Sequence, residues 1–354
     1  MAELVVLSSF DWSVPGTPEI ISETASLGGI RTIHFTKPRS LISANNRTQT
    51  NLTNVVSKDL KLVSVRLSRF KNFEKFQNRL IVKQIIRSVS KHSFKKPNLI
   101  YTNLESISNI LPILRPYFRN FYYICADYSE IDYSFHSNAL HADKILTIPR
   151  SMIPKISDFY PKKCIHWPQM TTEFEEATKL NPKIEKILSY IPSPRAIYTG
   201  LTNSRIDAKL YNIISEALPE ISFITFSSNA NITAKKNKYQ VPWLTKFEIF
   251  QLVKECQVGF MPYDISDLHN LHCVPLKLFE YFRVGIPVVS TKLINLDEYK
   301  PHVKLASNTK EFIEFLSKSI KNEKTLDEIN ARKEIAKYHT SSNLKDKLKL
   351  LLSK

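Results

Sequence analysis

MPYDISDLHNLHCVPLKLFEYFRVGIPVVST, residues 261–291, is the stretch on which the reading of this chain turns. A strand ending in Pro262-Tyr263 runs into a polar loop. A helix opens near Pro275, KLFEYFRVG (277–285) carries it to a closing glycine, and IPVVST (286–291) returns as a strand. A helix beginning at Pro275 directs its unpaired backbone amides and positive dipole end outward, an arrangement suited to a diphosphate. Lys277 adds a full positive charge beside those amides. Glu280, one turn further on, is able to accept hydrogen bonds from two vicinal hydroxyls, the way a carboxylate reads a ribose. Taken alone, a Lys and a Glu three apart on a helix are more often a surface ion pair.

Working upstream, the same alternation continues. PRAIYTG (194–200) reads as a strand running into Gly200, RIDAKLYNIISEALP (205–219) as its helix, and ISFITFSS (221–228) as the next strand. The stretch NKYQVPWLTKFEIFQLVKECQVGFMPY then supplies a short edge, a helix and the strand that leads into the opening segment. Strands alternating with helices predict an α/β unit with a parallel, doubly wound sheet. Open sheets of this type bind ligands at the carboxyl ends of their strands.

The N-terminal half repeats the plan. Leu4–Leu7 is a buried-strand run, DWSVPGT the loop after it, and Thr17 a candidate N-cap with Pro18 in the first turn of a helix that ends at Gly28-Gly29. RTIHF (31–35) is the second strand. Residues 40–65 read as polar and irregular. Further strands are expected at NLIYTN (98–103), FYYICADYS (121–129) and KILTIPRS (144–151). Two halves of similar size predict an N-terminal domain over 1–170, a linker over 171–194 that is rich in Pro and Lys, a second domain over 195–330 and a helical segment over 331–354, with a cleft between the domains.

The chain has 354 residues with 43% hydrophobic and 23% charged, a globular balance that excludes wholesale disorder. Its 4 cysteines include no CxxC pair, which excludes a disulfide scaffold or zinc ribbon and fits a reducing compartment. The N-terminal MAELVVLSSF has no basic flank and reads as a strand rather than a signal peptide, and no apolar run is long enough to span a bilayer. A cytoplasmic location is therefore expected. Net charge is +17, and Ser57–Pro97 alone holds 12 Lys/Arg against 2 acids. Within it Phe70, Phe73, Phe76, Leu80, Ile81 and Ile85 recur at helical spacing, so a basic amphipathic helix is predicted. Such a helix is either half-buried with a solvated outer face or a surface for anionic lipid headgroups at the inner face of the plasma membrane. A nucleic-acid-binding protein is disfavoured, because there is no RNP, zinc-finger or helix-turn-helix signature and no aromatic stacking platform.

The 261–291 segment resembles the nucleotide-binding signature of GT-B glycosyltransferases, and the resemblance runs from about residue 195 to 300. In the first half it is looser, resting on the opening strand–loop–helix and on YICADYSEID followed by LHADKILTIPRSM; bacterial glucuronosyltransferases of exopolysaccharide assembly are closest in style. The resemblance implies two Rossmann-like domains and transfer of a sugar, from a UDP-sugar, to a hydroxyl of a glycan or lipid-linked acceptor in cell-surface polysaccharide synthesis. By that likeness Lys277 serves the phosphates and Glu280 the ribose, with Gly200, Arg205, Tyr263, Pro275 and Leu276 around the nucleotide. A GT-B sugar-nucleotide epimerase would share the nucleotide site but needs no basic helix.

Two departures favour inversion. His272 stands where many retaining members place a Glu, eight residues before the ribose glutamate, and Arg205 and Lys209 are four apart rather than five. No D-x-D triplet and no HExxH occur, so neither a metal nor another cofactor is expected, and Asp264 and Asp267 read as solvated. Inversion needs a base on the acceptor hydroxyl. Asp127, after an apolar strand, is the candidate, with a helix N-cap as its competing role. Asp11 is the rival base, Glu130 and Asp132 are spares, and Trp12 and His272 are candidates for contact with sugar.

Overall fold

The computed structural model describes residues 2–8, 16–40, 51–62, 73–102, 108–172, 179–201, 205–228 and 231–354. The chain divides into two compact units, Met1–Thr172 with Thr340–Lys354, and Glu173–His339.

The first unit follows the predicted alternation: β1 (Glu3–Leu7), α1 (Thr17–Leu27), β2 (Arg31–Ser40), β3 (Val55–Leu62), α2 (Phe73–Lys91), β4 (Asn98–Tyr101), α3 (Leu111–Leu114), β5 (Phe121–Cys125), α4 (Tyr133–Ala139), β6 (Lys144–Thr147), α5 (Ile153–Phe159) and β7 (Cys164–His166). Its sheet runs β3-β2-β1-β4-β5-β6-β7, and every pairing is parallel. Strands β1, β4 and β5 are buried along their whole described length or nearly so, as expected of a sheet covered on both faces. The stretch taken as irregular contains β3. Its Ser57, Lys58, Asp59 and Lys61 hide the strand pattern because it is an edge strand with half-exposed side chains. Gly16, rather than Thr17, caps α1, and Glu19 reaches back to the Gly16 amide at 2.9 Å. The same buried carboxylate accepts from Ser8 Oγ at 2.5 Å and contacts His34 Nε2 at 3.1 Å. Glu19 therefore grips the chain on both sides of residues 9–15.

Helix α2 confirms an amphipathic basic element but shifts its inner face. Ile81, Val82, Ile85 and Val89 are buried together with Asn78, whereas Phe76 is exposed. Lys75, Arg79, Lys83, Arg87 and Lys91 recur every four residues along the exposed side. Phe70 and Lys71 lie outside the described residues.

The second unit comprises α6 (Pro182–Ser189), β8 (Arg195–Leu201), α7 (Ala208–Ala217), β9 (Ser222–Ser227), β10 (Thr233–Lys235), β11 (Lys238–Pro242), α8 (Lys246–Lys254), β12 (Val258–Met261), α9 (Leu268–Leu271), α10 (Leu276–Val284), β13 (Val288–Thr291), β14 (Val303–Ala306), α11 (Thr309–Lys321) and α12 (Leu326–Tyr338). Its sheet order is β10-β11-β9-β8-β12-β13-β14, parallel except for the β10–β11 hairpin. Tyr211, Phe223 and Phe260 stack and T-pack at its centre, with centroids 5.4–6.1 Å apart.

Two of the expected boundaries shift. The 171–194 linker contains α6, which packs on α8 because Ile184 and Ile187 form an apolar stripe. The 331–354 segment is not one body: α12 ends in the second unit, while α13 (Ser341–Ser353) packs on α1 of the first. There Asn98 Nδ2 donates to the Leu352 carbonyl at 3.1 Å and Tyr122 Oη to that of Leu351 at 2.8 Å. Helix amphipathicity marks which face is buried but not which sheet receives it.

Candidate active site

In the second sheet the strand order reverses between β8 and β12, the point where an open α/β sheet leaves a crevice at its carboxyl edge. The loops leaving these two strands are joined by backbone bonds. Ile206 and Tyr263 form an antiparallel bridge, Asp207 N donates to Pro262 O at 2.9 Å, and Asp264 N donates to Arg205 O at 2.9 Å. Asn270, fully buried, adds its amide to the Asp264 carbonyl at 3.0 Å and the Arg205 carbonyl at 3.4 Å. This seam places Arg205 beside the signature loop, where its Nη2 lies 2.8 Å from His269 Nε2.

Helix α10 starts at this edge. Pro275 is its N-cap and no side chain caps the first turn, so the amides of Leu276 and Lys277 are left for an external acceptor. Lys277 Nζ donates to Tyr263 Oη at 2.8 Å and to Tyr198 Oη at 3.5 Å. It stands 4.5 Å from the centroid of the Tyr198 ring and 5.3 Å from that of Tyr263. Burial, with Tyr198 next to it, pushes the Tyr263 phenol well above its usual range, so it stays a neutral partner for the ammonium. Glu280 accepts from Thr199 Oγ1 at 2.9 Å, and its other oxygen has no partner among the described residues. Lys277 and Glu280 do not pair with each other; each is held by a different strand-end residue of β8 or β12. The surface-pair reading of these two residues is therefore wrong.

Two glycines make the arrangement fit. A Cβ on Gly200 would stand 2.7 Å from the Tyr198 ring, and one on Gly259 would stand 2.5 Å from the Tyr281 ring. Tyr281 Oη accepts from the Thr199 amide at 2.9 Å, so α10 is fastened to the end of β8 through that tyrosine. Gly200 thus makes room for the Tyr198 ring. The variant Gly200→Ala is expected to displace that ring and lower the thermal midpoint, with an overpacking cost of about 1–3 kcal/mol. Unchanged melting, followed by circular dichroism, would refute this.

The remaining predicted residues fall as follows. His272 is half-buried just before α10, and its carbonyl accepts from Asn295 Nδ2 at 2.7 Å. Asp264 is not merely solvated. It accepts from Ser266 Oγ at 2.6 Å and Ser266 N at 3.0 Å, bonds that lower its pKa, while Asp267 caps α9. In the first unit Asp127 is exposed on the loop after β5, and its carbonyl accepts from the Cys125 thiol at 3.3 Å. Burial, with Asp127 nearby, pushes that thiol up to about 12. The N-cap of α4 is Asp132, whose Oδ1 accepts from Phe135 N at 2.8 Å, so the capping role weighed for Asp127 belongs to Asp132. Asp11 and Trp12 lie outside the described residues. Among the described residues no group of three or more His, Cys, Asp and Glu side chains could hold a metal ion.

Tyr198, Thr199, Tyr281 and Asn270 were not singled out from sequence. The only available signal was their alternation around Gly200 and within the signature, since their partners lie about 80 residues away or across a loop.

No protein-family model matches the sequence, and no curated protein matches it either. Solved structures do. A structure described as trehalose-6-phosphate from E. coli bound with UDP-2-fluoro glucose superposes with a TM-score of 0.71 at 9% identity, covering 99% of both chains. An α,α-trehalose-phosphate synthase (UDP-forming) from Burkholderia xenovorans in complex with glucose-6-phosphate gives 0.67 at 8% identity, covering 100% of both chains. Sucrose-phosphate synthase from Thermosynechococcus elongatus gives 0.61 at 10% identity, covering 99% of this chain and 95% of its own. The fold is GT-B. At such identities the likeness establishes architecture, and the GT-B switch-point geometry of the second unit then has to speak for its own chemistry.

Proposed function

We propose that this protein is a glycosyltransferase that uses a nucleoside diphosphate sugar, with UDP as the nucleotide, and transfers the sugar with inversion to a hydroxyl of a glycan or lipid-linked acceptor. The observation that carries the reading is Lys277. It is an ammonium with no carboxylate partner among the described residues, steadied by two phenols beside the uncapped amides of α10, with Glu280 one turn on. A pyrophosphate fits the first two features and a ribose diol the third. The similar E. coli structure carries UDP-2-fluoro glucose, which favours uridine. Asp127, an accessible carboxylate at the carboxyl edge of the first sheet, is the proposed base for the acceptor hydroxyl.

The experiment is a thermal-shift series with UDP, GDP, ADP and their sugars. UDP and one UDP-sugar are expected to raise the melting temperature; a nucleotide present at 100 times its dissociation constant adds about 2.7 kcal/mol. Absence of any shift across the series would remove the nucleotide site.

Location at a membrane surface belongs to the same proposal. The described residues include no helix long and apolar enough to cross a membrane. The exposed row Lys75, Arg79, Lys83, Arg87 and Lys91, with Phe76 beside it, suits anionic headgroups, each cation contributing about 1 kcal/mol at low salt. Replacing the five cations with glutamate is expected to release the protein from phosphatidylglycerol vesicles in a flotation assay. Undiminished flotation would show that this face has no such role.

A further inference from the structure

A pocket opens at the edge of the second sheet opposite the one where α10 starts. It encloses about 390 Å³, within the range of small-molecule sites. Pro287 and His302, which precede β13 and β14, place it at the amino ends of the strands. Its cationic lining is Lys304, Lys318, Lys324 and Arg332. Glu323 and Glu328 are the acids; Glu328 is drawn to the start of α12, accepting from the Thr325 amide at 3.4 Å. Lys318 is paired with Glu314 at 2.6 Å.

Arg332 is the unusual member. It is only 4% exposed and its Nε donates to the Gly285 carbonyl at 2.8 Å, while among the described residues its Nη2 has no hydrogen-bond partner and no carboxylate lies within ion-pairing distance. Lys324, whose Nζ donates to the Gln257 carbonyl at 2.7 Å, likewise has no carboxylate partner among the described residues. Burial first, and then the nearby Arg332 charge, lowers the pKa of Lys324 and of His302, with Glu328 opposing the shift at His302. A buried guanidinium is ordinarily paired, because an uncompensated charge in low dielectric is costly. Glu328, four residues earlier on α12, acts on Arg332 through space without bonding to it, and an anion in the cavity would complete that partial compensation. Phe315, Pro287 and Pro301 form an apolar wall beside the cations.

We propose that this pocket binds a phosphomonoester, its phosphate seated among Lys304, Lys324 and Arg332 and its uncharged body against Phe315 and the two prolines. The site is separate from the carboxyl-edge nucleotide site and does not depend on the activity proposed for it. The test is calorimetric titration of the whole chain with phenyl phosphate and with inorganic phosphate, both in the presence of saturating UDP. Phenyl phosphate is expected to bind more tightly than inorganic phosphate, because only it reaches the apolar wall. Lys304→Glu, an exposed substitution on β14, is expected to weaken phenyl phosphate binding at least about tenfold, the scale of one charge-assisted hydrogen bond, while leaving UDP binding unchanged. Lys277→Ala is expected to leave phenyl phosphate binding within about twofold of the parent. Arg332→Gln is a second probe, read only if it melts as the parent does; Lys304→Glu decides the matter alone if it does not. Loss of phenyl phosphate binding in Lys277→Ala, unaltered binding in Lys304→Glu, or no binding beside UDP would each overturn the proposal.

Discussion

Lys277→Ala is expected to weaken UDP binding by about 10- to 100-fold, the loss of a charge-assisted hydrogen-bonded contact of about 1.5–3 kcal/mol to the pyrophosphate. The fold should survive. Lys277 is half-exposed and its partners are two tyrosine hydroxyls rather than a buried carboxylate, so removing it strands no opposite charge. The apolar packing of α10 rests on Leu278, Phe279, Tyr281 and Phe282 instead. Calorimetry with UDP and a thermal melt separate the two quantities. An unchanged affinity would mean that the ammonium faces no phosphate, and the nucleotide reading of the α10 terminus would go with it. Glu280→Gln offers a built-in contrast. It retains the hydrogen bond from Thr199 but loses the charge, so its effect should be smaller and should shrink further with 2′-deoxy-UDP.

Asp127→Asn is expected to reduce sugar transfer by about 100- to 10,000-fold, the range for loss of a general base, while UDP binding stays at the parent value. The substitution is nearly isosteric on an exposed loop, and the neighbouring helix cap is supplied by Asp132 rather than by Asp127. A structural role would instead appear as a lower melting temperature. Near-parent turnover would pass the role to another carboxylate, with Asp11 next in line. The anomeric configuration of the product, read by proton NMR, tests inversion separately from the identity of the base.

Why the fold was readable while parts of the site were not follows from which interactions are local. The strand–loop–helix–strand run of 261–291 carries its own punctuation in Pro262, Pro275 and Gly285, and Gly285 does adopt the left-handed backbone (φ 81°) that ends α10. That Lys277 and Glu280 share one helix was legible because the punctuation around them is local. Their holders were not: Tyr198 and Thr199 reach them across 79 and 81 residues, and no periodicity encodes such a contact. Edge strand β3 escaped for a different reason, since a half-exposed strand has little alternation to display. Three-residue β7 is too short to produce a pattern. Gly200 was singled out as a residue around the nucleotide, and the room its missing Cβ leaves for the tyrosine two positions earlier could not be read from the sequence.

Helix α13 bears on the order in which the protein takes shape during synthesis. The polar groups of Asn98 and Tyr122 wait for carbonyls 254 and 229 residues downstream. At ribosomal speeds of about 5–20 residues per second, 254 residues correspond to roughly 13–50 seconds. Through that interval the nascent first sheet carries an uncovered strip, whereas the later unit, Glu173–His339, is one uninterrupted stretch that closes on itself as soon as it emerges. Translation thus finishes the second half before the first, and a ribosome stalled ahead of residue 341 would leave the half made earliest as the one exposed to chaperones and proteases.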